Sequence, residues 1–251
     1  MSFRYKLIIE YDGGGYVGWQ RQDNGSSIQQ ALEDAVFAFC GDRVSAVAAG
    51  RTDAGVHAFG MVVHIDLTID HDPDVVRAAV NFHLRPARIA VLQAQRMDAE
   101  FHARFSAMAR HYLYRVISRR SPLTLDAGKM WRISGSLDVA AMDTGAQHLV
   151  GKHDFSTFRA AQCQAASPVK TLTEISCQQH GDEINIRVSA PSFLHHQVRS
   201  ITGSLVQVGL GRWAPQKIAD ILAATDRTQC GQVAPAYGLY FVKADYPAAG
   251  P

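Results

Sequence analysis

The spacing of apolar side chains changes period several times along this chain. Residues 4–11 alternate apolar with polar, as a strand with one buried face does. Ser26 and Ser27, each with a glutamine three residues on, then form a capping signal for a helix over 28–40. In it Ile28, Ala31, Leu32, Ala35, Val36 and Phe39 recur at helical spacing. Segments 43–49 and 59–67 read as strands, 74–84 as a helix opened by Asp72 and Pro73, and 88–96 as a strand. The order is βαββαβ, the split βαβ arrangement, which commonly builds a four-stranded antiparallel sheet with two helices on one face.

The second half repeats that order. Strand 110–118, helix 137–149, strands 171–178 and 183–190, helix 194–210 with a shorter one at 214–224, and strand 238–245 follow one another. Helix 194–210 carries Val198, Ile201, Leu205 and Val208 on one face, and Gly203 and Gly209 mark tight packing or an end. The expected fold is α+β: two similar ferredoxin-like halves with mainly antiparallel sheets, forming a central cleft. The boundary is set near Glu100 to Arg104, giving domains 1–103 and 104–251. No low-complexity linker separates them, and the cleft is the natural place for a site.

Composition bounds this picture without changing it. The 251 residues are 47% hydrophobic and 19% charged, as in a globular protein with a sizeable core. Residues 1–6 lead directly into a strand pattern, and no apolar run approaches membrane-spanning length, so a cytoplasmic protein is expected. Cys40, Cys163, Cys177 and Cys230 are far apart, with no Cys-x-x-Cys pair, which argues for reduced, mostly buried thiols over a zinc site.

A net charge of +2 is mild, yet the basic residues are concentrated. Between Glu100 and Asp126 there is no acid, while Arg104, Arg110, Arg115, Arg119 and Arg120 are present with His102 and His111. A second acid-free stretch, from Glu183 to Asp220, holds Arg187, His195, His196, Arg199, Arg212 and Lys217. Interleaved with Tyr112, Tyr114, Phe193 and Trp213, these segments suit a phosphate backbone with bases to stack; a solvated basic face accounts for the composition equally well.

The run Ala49-Gly50-Arg51-Thr52-Asp53-Ala54-Gly55-Val56-His57-Ala58 sets one carboxylate beside an arginine, between two glycines, after a strand. The glycines allow close backbone approach or positive φ on either side of Asp53, and Thr52 can hydrogen-bond locally to fix its direction. An isolated Asp-x-Gly is usually a surface turn. With Arg51 and His57 flanking the acid and hydrophobic strands on both sides, a functional turn is the better reading.

Six segments carry a family resemblance together: YDGGGYVGWQRQ (11–22), AGRTDAGVHA (49–58), FHARFSAMARHYLYRV (101–116), DFSTFRAAQCQAASPVKT (154–171), FLHHQVRSITGSL (193–205) and GLYFVKADYP (238–247). They resemble the tRNA pseudouridine synthase A (TruA) family, in family order across nearly the whole chain. Ala58 stands where glycine is frequent, a small departure. The resemblance implies an isomerase, an intramolecular transferase that turns uridine into pseudouridine at positions thirty-eight to forty of the tRNA anticodon arm. It implies no metal or organic cofactor, tRNA as partner, no membrane, and a homodimer. It also implies roles: Asp53 as nucleophile, Arg199 as the cation that orients it, and Tyr112 as a stacking residue and possible base. Arg51 would enter the space vacated by the flipped nucleotide, and Leu239 would form an apolar wall under the base. His57 and His195 are weaker candidates, for which phosphate contact and simple packing are equally good readings.

The chemistry suits a single carboxylate, since moving uracil from an N1 to a C5 glycosidic bond involves no net redox change and no hydrolysis. Attack on C1′, addition to C6 and formation of a glycal all remain open routes for Asp53. The alternative from another class is a non-catalytic RNA-binding protein with RRM-like domains, but no strand carries the expected aromatic motif. A zinc nucleobase deaminase lacks its His-x-Glu and Pro-Cys-x-x-Cys signatures, and Gly13-Gly14-Gly15 is not completed into a phosphate loop.

Overall fold

The structure is a computed structural model and describes residues 2–247. It is a mixed α/β chain whose strands are mainly antiparallel, with five α-helices among the described residues. Strand β1 (Phe3–Tyr11) points Tyr5, Leu7, Ile9 and Tyr11 into the core, as its alternation requires. Helix α1 (Ile28–Cys40) starts where expected: the Ser27 side chain accepts the Gln30 N–H, and Gly41 in the left-handed region ends the helix. Its buried stripe is Ile28, Leu32, Ala35 and Val36. The strand expected over 43–49 shrinks to β2 (Val47–Ala48), followed by β3 (His57–Leu67). Helix α2 (Pro73–His83) has Asp72 as its cap, accepting the Asp74 N–H, with Pro73 in its first turn, and β4 (Ile89–Met97) closes this run.

The second run opens with β5 (Ala109–Ser118). Two short strands follow that periodicity does not reveal: β6 (Trp131–Ile133), parallel to β5, and β7 (Gly151–Asp154). Between them lies α3 (Val139–Gln147). The single strand expected over 171–178 is broken. Strand β8 (Val169–Leu172) pairs with β7, and β9 (Glu174–His180) forms an antiparallel hairpin with β10 (Glu183–Ala190). Helix α4 begins at Gln197, not at 194, because His196 has φ +63, a left-handed value that a right-handed helix cannot contain, and it ends at Gly209. Helix α5 (Gln216–Ala224) and strand β11 (Leu239–Asp245) complete the chain.

These elements divide into two units. Unit 1 is Met1–Arg110 with Tyr240–Pro251, and unit 2 is His111–Leu239. In unit 1, β1 lies between β3 and β4, antiparallel to both, with Phe3 opposite Leu67 and Tyr5 opposite Arg96. Strand β2 adds to β3 in antiparallel register, and β11 pairs with β3 in parallel, Tyr240 beside His57. Helix α2 packs on β4 and against α1. In unit 2 the ladder runs β5-β10-β9, with α3 packed on β9 and α4. Almost every residue of α4 is buried, including Val198, Ile201, Leu205 and Val208. Gly203 is part of that packing, since a Cβ there would overlap the Gln232 carbonyl.

Candidate active site

Asp53 sits, half-buried, in a tight turn of unit 1 closed by the Val56 N–H donating to its carbonyl at 3.1 Å. Gly55 supplies the turn's positive φ of +80°. The other side of the acid is held by the segment that follows β1. Gly18 makes an isolated antiparallel bridge to Asp53, and the Trp19 N–H donates to the Thr52 carbonyl at 3.0 Å. Gly18 has φ +110°, and a Cβ there would lie 2.7 Å from the Thr52 oxygen, so only glycine brings the two segments this close. The same segment is anchored to α1, with Ile28 and Gln29 donating to the carbonyls of Gly18 and Trp19.

The sequence points to a local hydrogen bond for Thr52, but its side chain reaches a distant strand instead. Its buried hydroxyl lies 2.8 Å from the Tyr11 hydroxyl at the end of β1, so the residue before Asp53 is fixed by a side chain far away in sequence. His57 is buried, its ring stacks on Tyr240 at 4.8 Å, and its Nδ1 lies 3.1 Å from the Gly13 nitrogen and 3.0 Å from Asp12 Oδ1. Arg51, by contrast, is exposed beside Asp53.

Arg110 is a residue whose role composition obscures. It belongs to the acid-free stretch, yet its guanidinium donates twice to the Ala49 carbonyl, at 3.1 and 3.0 Å, and to the Ala107 carbonyl at 3.0 Å. It holds the backbone that enters the Asp53 turn. Sequence offered two signals for these contacts, since Tyr11, Gly18 and Trp19 lie in one resembling segment and Arg110 in another. Which segment meets which is decided by the sheet.

Unit 2 contains Tyr112, Arg199 and Leu239. Tyr112, half-buried on β5, meets Phe193 edge to face at 5.1 Å. Tyr114, two residues on, is a core residue: it is fully buried and donates to the Pro235 carbonyl at 2.7 Å, and burial raises its pKa well above the ordinary tyrosine range. Arg199 lies in the first turn of α4, where its Nε donates to the Ala234 carbonyl at 2.7 Å, and its own carbonyl accepts the Ala234 N–H. Leu239, buried at 6% exposure, begins β11. His195 is exposed just before that helix.

The remaining basic residues divide by partner. Arg115 forms a two-pronged pair with Glu183, at 2.8 and 3.1 Å, and is structural. Arg104, Arg120 and Arg212 are exposed. The cysteines are free thiols: Cys163 and Cys177 are buried, Cys40 and Cys230 half-buried. Burial pushes the Cys177 thiol up to about 12.

A family model described as tRNA pseudouridine synthase matches residues 7–106 and 146–247. A tRNA pseudouridine synthase A of Beijerinckia indica is 56% identical over 247 residues, covering 98% of this chain and 95% of that protein. Those of Afipia carboxidovorans and Maricaulis maris are 57% and 54% identical, each covering 97% of this chain, and 99% and 98% of their own length. With a family match over most of its length and identities above one half across nearly all of it, the chain belongs to the tRNA pseudouridine synthase family.

Proposed function

We propose that the chain isomerises uridine to pseudouridine at positions thirty-eight to forty of the tRNA anticodon arm, with Asp53 as its nucleophile. The observation that carries this reading is the near-full-length identity to proteins named tRNA pseudouridine synthase A. The non-catalytic RNA-binding alternative gains nothing from that identity. In the reaction the N1–C1′ bond breaks, the base turns, a C5–C1′ bond forms, the C5 proton leaves and N1 gains a proton. A carboxylate fixed in a turn is suited to begin it, at C1′, at C6 or by taking a ribose proton.

Arg199 would keep Asp53 ionised and aimed, Tyr112 would stack on the target base and help remove its C5 proton, and Leu239 would lie under the base. A stem uridine hides its reacting atoms, so the nucleotide leaves the stack at a cost of a few kcal/mol, and exposed Arg51 would fill the gap. The order β4-β1-β3 with β2 added to β3, under α1 and α2, supports reading unit 1 as a ferredoxin-like half. A homodimer at work in the cytoplasm completes the reading; among the described residues no helix is long and apolar enough to cross a membrane.

The test is to incubate the purified protein with a uridine-containing anticodon arm and map pseudouridine after carbodiimide labelling, because the two nucleosides have equal mass. Product at the three expected positions supports the reading. Binding without product would restore the alternative, and product at another RNA site would keep the chemistry and change the substrate.

A further inference from the structure

We propose that Phe105, with Arg104, is a second base-binding platform, on which an unpaired nucleobase of the tRNA stacks outside the reaction site. The inference rests on the proposed tRNA substrate. Phe105 is 75% exposed, an unusual state for a phenylalanine that local structure holds so firmly. His102 accepts the backbone N–H groups of Arg104 and Phe105 on Nδ1, at 3.2 and 3.1 Å. The His102 N–H in turn donates to Ser106 Oγ, and the Ser106 N–H to the His102 carbonyl. The His102 ring lies 4.4 Å from the Phe105 ring, tilted by 30°, and the Arg104 guanidinium stands 5.4 Å from the Phe105 centroid. A wound loop thus displays one aromatic ring beside one cation.

An exposed ring next to a guanidinium suits a base with its phosphate, because base stacking combines an aromatic face with arginine. Aromatic rings and arginine recur at protein contacts too, and the basic, acid-free setting is what favours a polyanion here. The surrounding sequence contains no acid from 101 to 125. The loop is also tied to the reaction site: Arg110 donates to the carbonyls of Arg104 and Ala107 and to that of Ala49, which leads into the Asp53 turn. A nucleotide bound at Phe105 would therefore be positioned by the same arginine that positions the nucleophile's backbone.

The experiment measures tRNA affinity by filter binding, and rate by single-turnover tritium release, for wild type, Phe105→Ala and Phe105→Trp. Phe105→Ala should weaken the Kd about ten-fold, within the range of one aromatic–base stack, and Phe105→Trp should retain wild-type affinity. With anticodon arms carrying an abasic residue at each unpaired position in turn, one position should weaken wild type about ten-fold and leave Phe105→Ala unaffected. Thermal unfolding and sedimentation should match wild type in both variants. A Kd within two-fold of wild type for Phe105→Ala overturns the proposal, as does a shift of that variant to a smaller oligomer, which would assign the ring to a contact between copies. Loss of isomerisation in the wild type itself would instead count against the proposed activity.

Discussion

A nucleophilic aspartate, as proposed for Asp53, has to be aimed, and the turn that carries Asp53 is held largely by backbone contacts. Gly18, Trp19 and Thr52 join two segments through main-chain contacts, and Tyr11 reaches the Thr52 hydroxyl. Gly18→Ala forces a Cβ to within 2.7 Å of the Thr52 carbonyl at a φ of +110°, and should destabilise the fold by about 1–3 kcal/mol. Because a displacement near one ångström costs on the order of 100-fold in rate, kcat should fall much further than tRNA affinity. Wild-type kcat in this variant would show that the bridge does not aim the acid. The sequence alone made Asp53 legible, since an acid between glycines and beside Arg51 is a local pattern. It misassigned Thr52 and did not pair Gly18 with the Asp53 turn, because their contacts cross between segments that no local spacing records.

Among the elements, α1, β3, α2, β4, β10 and α5 lie within two residues of where periodicity and caps set them. The failures have local causes. Helix α4 starts late because His196 is left-handed, and the strand ending in Cys177 and Gln178 was expected unbroken, although Thr173 leaves the ladder and donates to the Ser189 carbonyl. The short strands β6 and β7 contain too few residues to show a period. Two basic elements should separate in function. Arg199, anchored to the Ala234 carbonyl from α4, should act on the reaction, so Arg199→Ala should reduce kcat by more than it weakens binding. Arg119 and Arg120, just after β5, should act on affinity. Their double alanine variant should weaken binding at low salt and lower the slope of log K against log salt by about 1.4 to 1.8. Filter binding across salt concentrations, set beside single-turnover rates, tests both, and the reverse pattern would refute the division.

On the scale of the whole molecule, the last strand is the part that sequence order misleads about. Strand β11 follows the second run of elements, yet its Tyr240 and Phe241 pair with His57 and Ala58 of β3, and Tyr240–Asp245 belongs to unit 1. Unit 1 also contains a pH-sensitive buried group. His64 on β3 accepts the Ala103 N–H, and burial, reinforced by the Arg4 and His102 charges, lowers its pKa from 6.5 to about 4. The unfolded chain then binds the proton more readily than the native one. This contribution to stability is therefore complete above pH 6.5 and is lost as pH falls toward 4. Urea midpoints should decline over that window in the wild type and less steeply in His64→Asn, which retains an acceptor; equal slopes would contradict the assignment. The central claim is that Asp53 is the nucleophile of a uridine isomerase, and tritium release from tRNA labelled at uridine C5 tests it most directly. The wild type should release tritium in step with pseudouridine formed, while Asp53→Asn should release none yet bind tRNA within a few-fold of wild type. Near-normal release by Asp53→Asn would contradict the account.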